Sequence, residues 1–132
     1  MLTFPSLGAL DKSLSVGVYL CTAPTDMRKG FDTLAALVQE HLGRNPLSGD
    51  LFLFLSRSRD RLKALVWEAD GYLLCYKRLE QGTYRLPPHE PGSKAVVLKA
   101  SELAMLLDGI DLRSVRRSPR YRRAAGNGIT RK

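Results

Sequence analysis

The stretch from Asp50 to Leu86, DLFLFLSRSRDRLKALVWEADGYLLCYKRLEQGTYRL, constrains the fold of this chain more than any other part of it. Leu51 to Leu55 is apolar at every position, the pattern of a strand covered on both faces. Leu62 to Glu68 and Tyr72 to Leu79 are rich in β-branched, aromatic and long aliphatic residues, which suit a pleated, partly covered surface. Between them, Ala69-Asp70-Gly71 holds an Asp-Gly pair, a strong hairpin signal because both residues tolerate positive φ. The longer turn from Ser56 to Arg61 carries Arg57, Arg59 and Arg61. Gln81-Gly82 breaks the third strand, Tyr84-Arg85-Leu86 resumes it briefly, and Pro87-Pro88 ends it. The stretch reads as an antiparallel meander on which the helices of the chain pack.

Upstream, Val16 to Thr22 is a strand of β-formers stopped by Ala23-Pro24. Thr25 and Asp26 are candidate N-caps, and Phe31, Leu34, Ala35, Val38 and Leu42 then recur at spacings of three and four. Gly43 is a natural left-handed stop for that helix. Arg28 and Lys29 would lie in its first turn, the wrong end of the helix dipole for cations. Either Asp32 pairs with Arg28, or an anionic ligand such as a phosphate sits there. Asn45 to Gly49 forms a turn into the meander. After the proline-rich loop from Pro87 to Gly92, Ala95 to Lys99 suggests a last strand. Ser101 is an N-cap for a second helix, SELAMLLD, which Gly109 closes with Ile110 making the hydrophobic contact. The expected fold is α+β: a single domain with an antiparallel sheet of four to six strands, one helix before the meander and one after it.

The 132 residues fit one domain, able to bury about two-thirds of its unfolded surface. No apolar run approaches the roughly 20 residues of a membrane span, so no membrane partner is expected. The first fifteen residues lack a basic start before their weakly apolar stretch and read as a loose leader, not a secretion signal. Cys21 and Cys75 lie in predicted strands rather than in a CxxC pair, and the absence of a secretion signal implies a reducing cytoplasm. They read as buried thiols acting as small hydrophobes. Cys21, Cys75, His41 and His89 lack metal-site spacing, and no cofactor is expected.

Charge divides the chain. From Met1 to Leu112 there are 13 Lys and Arg against 13 Asp and Glu; from Arg113 to Lys132 there are 8 Lys and Arg and no acid. The whole excess of +8 thus sits in the last twenty residues. With Ser118-Pro119 and Gly126-Asn127-Gly128 interrupting it, this tail is expected to be disordered when free. The divisions are a leader over 1–15, a domain over 16–112 and a basic tail over 113–132.

Particular residues carry a resemblance. Pro24-Thr25-Asp26-Met27-Arg28-Lys29-Gly30-Phe31-Asp32 is followed by Gly49-Asp50-Leu51-Phe52-Leu53-Phe54, by Arg59, Asp60, Lys63 and Trp67, and by Lys77-Arg78-Leu79-Glu80-x-Gly82-x-Tyr84 with Pro87. Leu103-x-x-Leu106-Leu107-x-Gly109-Ile110-Asp111 closes the series. Over about Val16 to Leu112 the chain resembles the TnpB accessory protein, the second open reading frame product of the insertion-sequence sixty-six family of bacterial transposable elements. The resemblance implies a part in transposition beside a separate, larger transposase; it implies no mechanism, and the leader and tail lie outside it.

The expected role is therefore a non-catalytic accessory protein of transposition in the bacterial cytoplasm, binding element DNA, the transposase, or both. Candidate phosphate contacts on the body are Arg28, Lys29, Arg57, Arg59, Arg61, Lys63, Lys77 and Arg78, with residues 59, 61 and 63 projecting to one face of a strand. Behind them stand Arg113, Arg116, Arg117, Arg120, Arg122 and Arg123 of the tail, where arginine adds bidentate phosphate geometry. The body cations serve equally as protection of a sheet edge. Trp67, Tyr72 and Tyr76 could stack on splayed bases, though strand aromatics more often pair across strands. A pure adaptor docking on the transposase is the alternative. A small nuclease would need Asp60, Glu68 and Asp70 to converge on a shared metal.

Overall fold

The computed structural model describes residues 16–108, together with the backbone of Ile110–Asp111 and Arg116–Arg117. Strand β2, Leu51–Leu55, lies at the centre of the sheet, and all five of its side chains are buried. Leu51, Leu53 and Leu55 enter one apolar cluster, and Phe52 and Phe54 enter another on the opposite face. A strand with both faces covered needs no polar position, hence the unbroken run LFLFL.

The meander follows from it. β3, Arg61–Glu68, and β4, Gly71–Arg78, pair antiparallel with one another, and β3 pairs antiparallel with β2. β1, Val18–Cys21, lies on the far side of β2, and β5, Ala95–Leu98, pairs antiparallel with β1. The order across the sheet is β4-β3-β2-β1-β5.

The α+β class, the meander, the five strands and the two helices agree with the sequence reading. The sheet is mixed rather than antiparallel throughout, because β1 and β2 run parallel with Val18 beside Leu51. The connection between them contains helix α1, Phe31–Glu40. Its ten residues span about 15 Å at 1.5 Å per residue, enough to carry the chain back along a four-residue strand to the edge where β1 began. Asp50 secures that start: its carboxylate accepts from the Gly17 amide at 2.8 Å, and the Leu51 amide donates to the Gly17 carbonyl at 2.9 Å.

Helix α1 puts Leu34 and Val38 onto Phe52, Phe54 and Leu65, on the face that also carries Cys21. It starts later than the sequence suggests. Gly30 is the N-cap, and the Thr33 hydroxyl accepts from the Gly30 amide at 2.9 Å. Thr25 and Asp26 are not caps: the Thr25 amide donates to Leu55 at 2.8 Å, and Asp26 to Lys29 closes as a turn at 3.1 Å. Arg28 and Lys29 therefore precede the helix, which removes the expected clash with its dipole. At the other end Gly43, at φ 66°, turns the chain so that the Arg44 amide returns to the Val38 carbonyl.

Helix α2, Ala100–Asp108, covers the opposite face with Leu103 and Leu106. Its entry is held by Glu102, whose carboxylate accepts from the Lys99 amide at 2.8 Å, so Ser101 lies inside the helix rather than capping it. Gly109 and the Ile110 side chain, expected to close this helix, fall outside the described residues. Beyond β4 the chain folds over the α2 face rather than resuming as a strand. Tyr84 is fully buried there, and its amide donates to the Arg59 carbonyl at 2.7 Å. Past α2, β6, Ile110–Asp111, pairs antiparallel with β7, Arg116–Arg117. The rest of the expected tail, like the 1–15 leader, lies outside the described residues.

The β3–β4 turn is tight as expected, but the positive φ falls on Ala69 at 55°, and Gly71 is the first residue of β4. An L-residue in the left-handed region carries about 1–2 kcal/mol of strain, larger than the 0.5–1 kcal/mol entropic penalty of glycine. Ala69→Gly is expected to stabilise the domain by up to about 1 kcal/mol, read as a higher urea midpoint at unchanged slope.

Candidate nucleic-acid interface

Alternation along β3 and β4 decides which cations can act together. Register places Arg61 opposite Arg78 and Lys63 opposite Tyr76, on the face covered by α1. Lys77 stands opposite Leu62, whose side chain enters the other core, so Lys77 belongs to the opposite face.

The turn before α1 and the turn between β2 and β3 approach one another at this end of the sheet. Thr25, Asp26, Met27 and Arg28 from the first, and Ser56, Arg57 and Ser58 from the second, line an open cleft of about 530 Å³ with Arg61 and Tyr76. Arg61 also borders a neighbouring recess with Tyr76, Arg78 and Glu80. Of the body candidates, Arg28, Arg57 and Arg61 thus share one cleft, and Arg78 adjoins it.

The others go elsewhere. Lys29 lines a separate recess with Thr33, Glu40 and His41 along α1. Arg59, held at φ 62° in the β2–β3 turn, lines a third with Leu86, Pro87, Pro88 and His89. Lys63 is only 7% exposed; its ammonium donates to the Lys29 carbonyl at 2.7 Å and lies 4.7 Å above the Tyr76 ring. Its donors are directed at the protein itself, where they fasten the 26–29 turn to the sheet. The expected row of residues 59, 61 and 63 is therefore not a continuous surface. The tail arginines Arg113, Arg120, Arg122 and Arg123 fall outside the described residues, as do the side chains of Arg116 and Arg117.

Electrostatics separates the cleft cations further. Arg28 is paired with Asp26 at 2.8 Å, not with Asp32, and the guanidinium's Nε also donates to both carboxylate oxygens. These hydrogen bonds, with the Arg28 amide, hold the Asp26 carboxyl well below the usual carboxylate range. A depressed carboxylate contributes its interaction in full above the unfolded-state pKa and loses it only as pH falls through the folded one. Arg28→Ala is expected to move the Asp26 titration upward toward an ordinary aspartate, measured by carbon NMR of the carboxyl.

Among the described residues the ion pairs are Arg28–Asp26 and Arg78–Glu80, so neither Arg57 nor Arg61 is in an ion pair there, although Arg61 adds to the field that lowers Asp60. Arg61 faces Arg78 directly across the ladder, an arrangement of like charges that is unfavourable until an anion bridges it. The Arg78–Glu80 pair, long at 3.4 Å and exposed, offsets this only in part. Tyr76 is 52% exposed, with a long 3.4 Å contact from Arg61 to its hydroxyl. Trp67 and Tyr72 instead meet edge to face at 5.0 Å, as a cross-strand pair.

Ser56 and Ser58 line the cleft without having been singled out in the sequence. Both hydroxyls donate to Asp60, and the Ser58 bond leads in holding that carboxyl below its usual range. The Ser-x-Ser-x-Asp spacing was the available signal. Asp60 precedes β3, whereas Glu68 is its last residue and Asp70 lies in the turn beyond, about 25 Å away at 3.3 Å per residue. The three acids of the nuclease reading do not converge, and among the described residues no group of three His, Cys, Asp or Glu could hold a metal ion. Burial raises both thiols; Cys21 is buried as expected, whereas Cys75 is only half-buried and packs at the margin of the α2-side core. No helix among the described residues is long and apolar enough to cross a membrane.

Two curated proteins of Sinorhizobium fredii strain NBRC 101917 / NGR234 are similar to this chain. Uncharacterized protein y4hO is 42% identical over 104 residues, covering 79% of this chain and 89% of its own length. Uncharacterized protein y4jC is 35% identical over 110 residues, covering 83% and 92%. No solved structure matches. The family model described as IS66 Orf2-like protein matches residues 16–117, which takes in the sheet, both helices and every cleft residue. The chain belongs to the IS66 Orf2-like family and is on that ground a transposition-associated accessory protein of an insertion sequence.

Proposed function

We propose that the chain binds the DNA of its element, with the cleft between the 25–28 and 56–58 turns as the contact to the phosphate backbone. The observation that carries this reading is the convergence of Arg28, Arg57 and Arg61 around the exposed ring of Tyr76. Neutralising phosphates with arginine is the main source of protein–DNA affinity, and Arg57 and Arg61 form no ion pair with an acid among the described residues. Tyr76 offers a surface on which a base can stack where the strands are open. The carboxylates nearest the site are engaged by Arg28 and by Ser56 and Ser58, which limits their repulsion of a phosphate. The basic tail adds affinity without sequence preference, and the transposase of the same element is the protein partner that family membership suggests.

The test is a salt-dependent binding titration of the full chain and of a version ending at Leu112, on terminal inverted-repeat DNA and on a scrambled duplex. Binding by the shortened chain with preference for the element ends supports the cleft as the reader. Loss of all binding with the tail, and no preference in the full chain, refutes it and leaves the body as a docking module for the transposase.

A further inference from the structure

The two edges of the sheet are unlike. β5 is four residues long, the short kind of edge that resists further pairing. β4 is eight residues long, has no proline, and ends the sheet, with its outer backbone groups facing no strand among the described residues. Natural edges of this length are blunted by charge, yet here the charges stand only at one end, Lys77 and Arg78. From Tyr72 to Tyr76 there is none. At the opposite end, the hairpin tip brings Glu68 and Asp70. An antiparallel copy of the same strand would therefore set basic ends against acidic ones.

We propose that β4 pairs with β4 of a second copy of this chain about a two-fold axis at Leu74, joining the two five-stranded sheets into one of ten strands. Two antiparallel strands in one sheet are related by an axis perpendicular to it, so residues facing one another lie on the same face. The two positions of a facing pair must then differ by an even number. With the axis at Leu74, Gly71 faces Lys77 of the second copy, Tyr72 faces Tyr76, Leu73 faces Cys75, and Asp70 faces Arg78. This register uses nearly the whole strand, forms two aromatic cross-strand pairs and closes both ends with opposite charges. Moving the axis to Cys75 sets Glu80 against Asp70, and moving it to Leu73 runs Tyr76 into the hairpin tip. The internal Arg78–Glu80 pair is long and exposed, so exchanging it for Asp70 of a second copy costs little. The axis also leaves both Arg61–Tyr76 surfaces on the same side of the joined sheet.

The experiment is sedimentation of the full chain from low to high micromolar concentration, with three variants. A concentration-dependent dimer is expected. Asp70→Arg and Arg78→Asp should each raise its Kd roughly tenfold or more, since every dimer contains the pair twice and attraction becomes repulsion. The double variant carrying both changes should recover dimerisation. Leu74→Cys should give, on mild oxidation, a covalent dimer joined at position 74 of both chains, because facing strand residues lie within disulfide reach. Hydrogen exchange of the β4 amides should slow as concentration rises. A chain that stays monomeric throughout, a dimer indifferent to both charge reversals, or β4 amides protected equally at every concentration would each overturn the proposal; the last would mean that another segment of the same chain covers this edge. None of these measurements involves DNA, so failure of the pairing is distinct from failure of the cleft.

Discussion

Phe52→Ala is expected to destabilise the domain by about 3–5 kcal/mol, the range for removing a fully buried phenylalanine and leaving a cavity. Phe52 is wholly inaccessible on the central strand, among the residues under α1, and its ring stacks on Tyr19 with centroids 5.6 Å apart. Tyr19 comes from β1, and Leu34 and Val38 of the same cluster come from α1, which cannot follow a shrinking side chain without leaving Phe54. Set against a total stability of about 5–15 kcal/mol for a domain of this size, the loss is a large share of what holds the fold. Chemical denaturation followed by tryptophan fluorescence of Trp67 checks it. Phe31→Ala is the comparison. That ring is 49% exposed at the first position of α1, and its loss should change stability by no more than about 0.5 kcal/mol. Equal effects of the two changes would contradict the packing described here.

The second large effect concerns the cleft. Replacing Arg57 and Arg61 together by alanine should lower the log–log salt slope of DNA binding by about 2, since each phosphate contact contributes about 0.9. At about 0.15 M salt the same relation makes the loss of affinity roughly thirtyfold. Both side chains are exposed, so thermal stability should be unchanged and the loss cannot be assigned to unfolding. Arg28→Ala should do less than either, because Asp26 already offsets that guanidinium in the free protein. A double variant with an unaltered slope would place the phosphate contacts elsewhere, with the tail arginines as the next residues to change.

Local pattern revealed the elements better than their partners. The all-apolar run at 51–55, the hairpin at Ala69-Asp70-Gly71 and the three-and-four spacing of Leu34, Ala35 and Val38 each follow from residues that are close in sequence. The parallel pairing of β1 with β2 does not, because it is set by the length and docking of the helix between them. Helix α1 begins at Phe31, five positions after Asp26, because the polar residues that resemble caps are used by a turn, a competition that side-chain chemistry alone leaves undecided.

The basic residues show the same divide. Alternation grouped residues 59, 61 and 63, but Lys77 and Arg78 were taken together, and register sends them to opposite faces. What it could not disclose is that Lys63 turns inward to the Lys29 carbonyl, thirty-four residues away, or that Arg59 leaves the row by a left-handed backbone. A charged residue in a strand is expected at the surface, and only the tertiary approach of the 26–29 turn gives this ammonium a buried acceptor. Trp67 and Tyr72, by contrast, met as cross-strand partners because the hairpin register itself brings them together.

The placement of β1 between β2 and β5 also bears on how the chain reaches this structure. In the meander the facing residues Glu68 and Gly71 are neighbours along the chain, and the ladder can zip outward from the hairpin tip. Val18 faces Leu98, eighty positions away, so that pairing requires closure of a loop comprising most of the molecule. Short-range pairings form sooner than long-range ones. β2, β3 and β4 are then expected to form the nucleus, with the β1–β5 ladder closing last. Substitutions in the hairpin should slow folding, whereas those at Val96 and Leu98 should chiefly hasten unfolding.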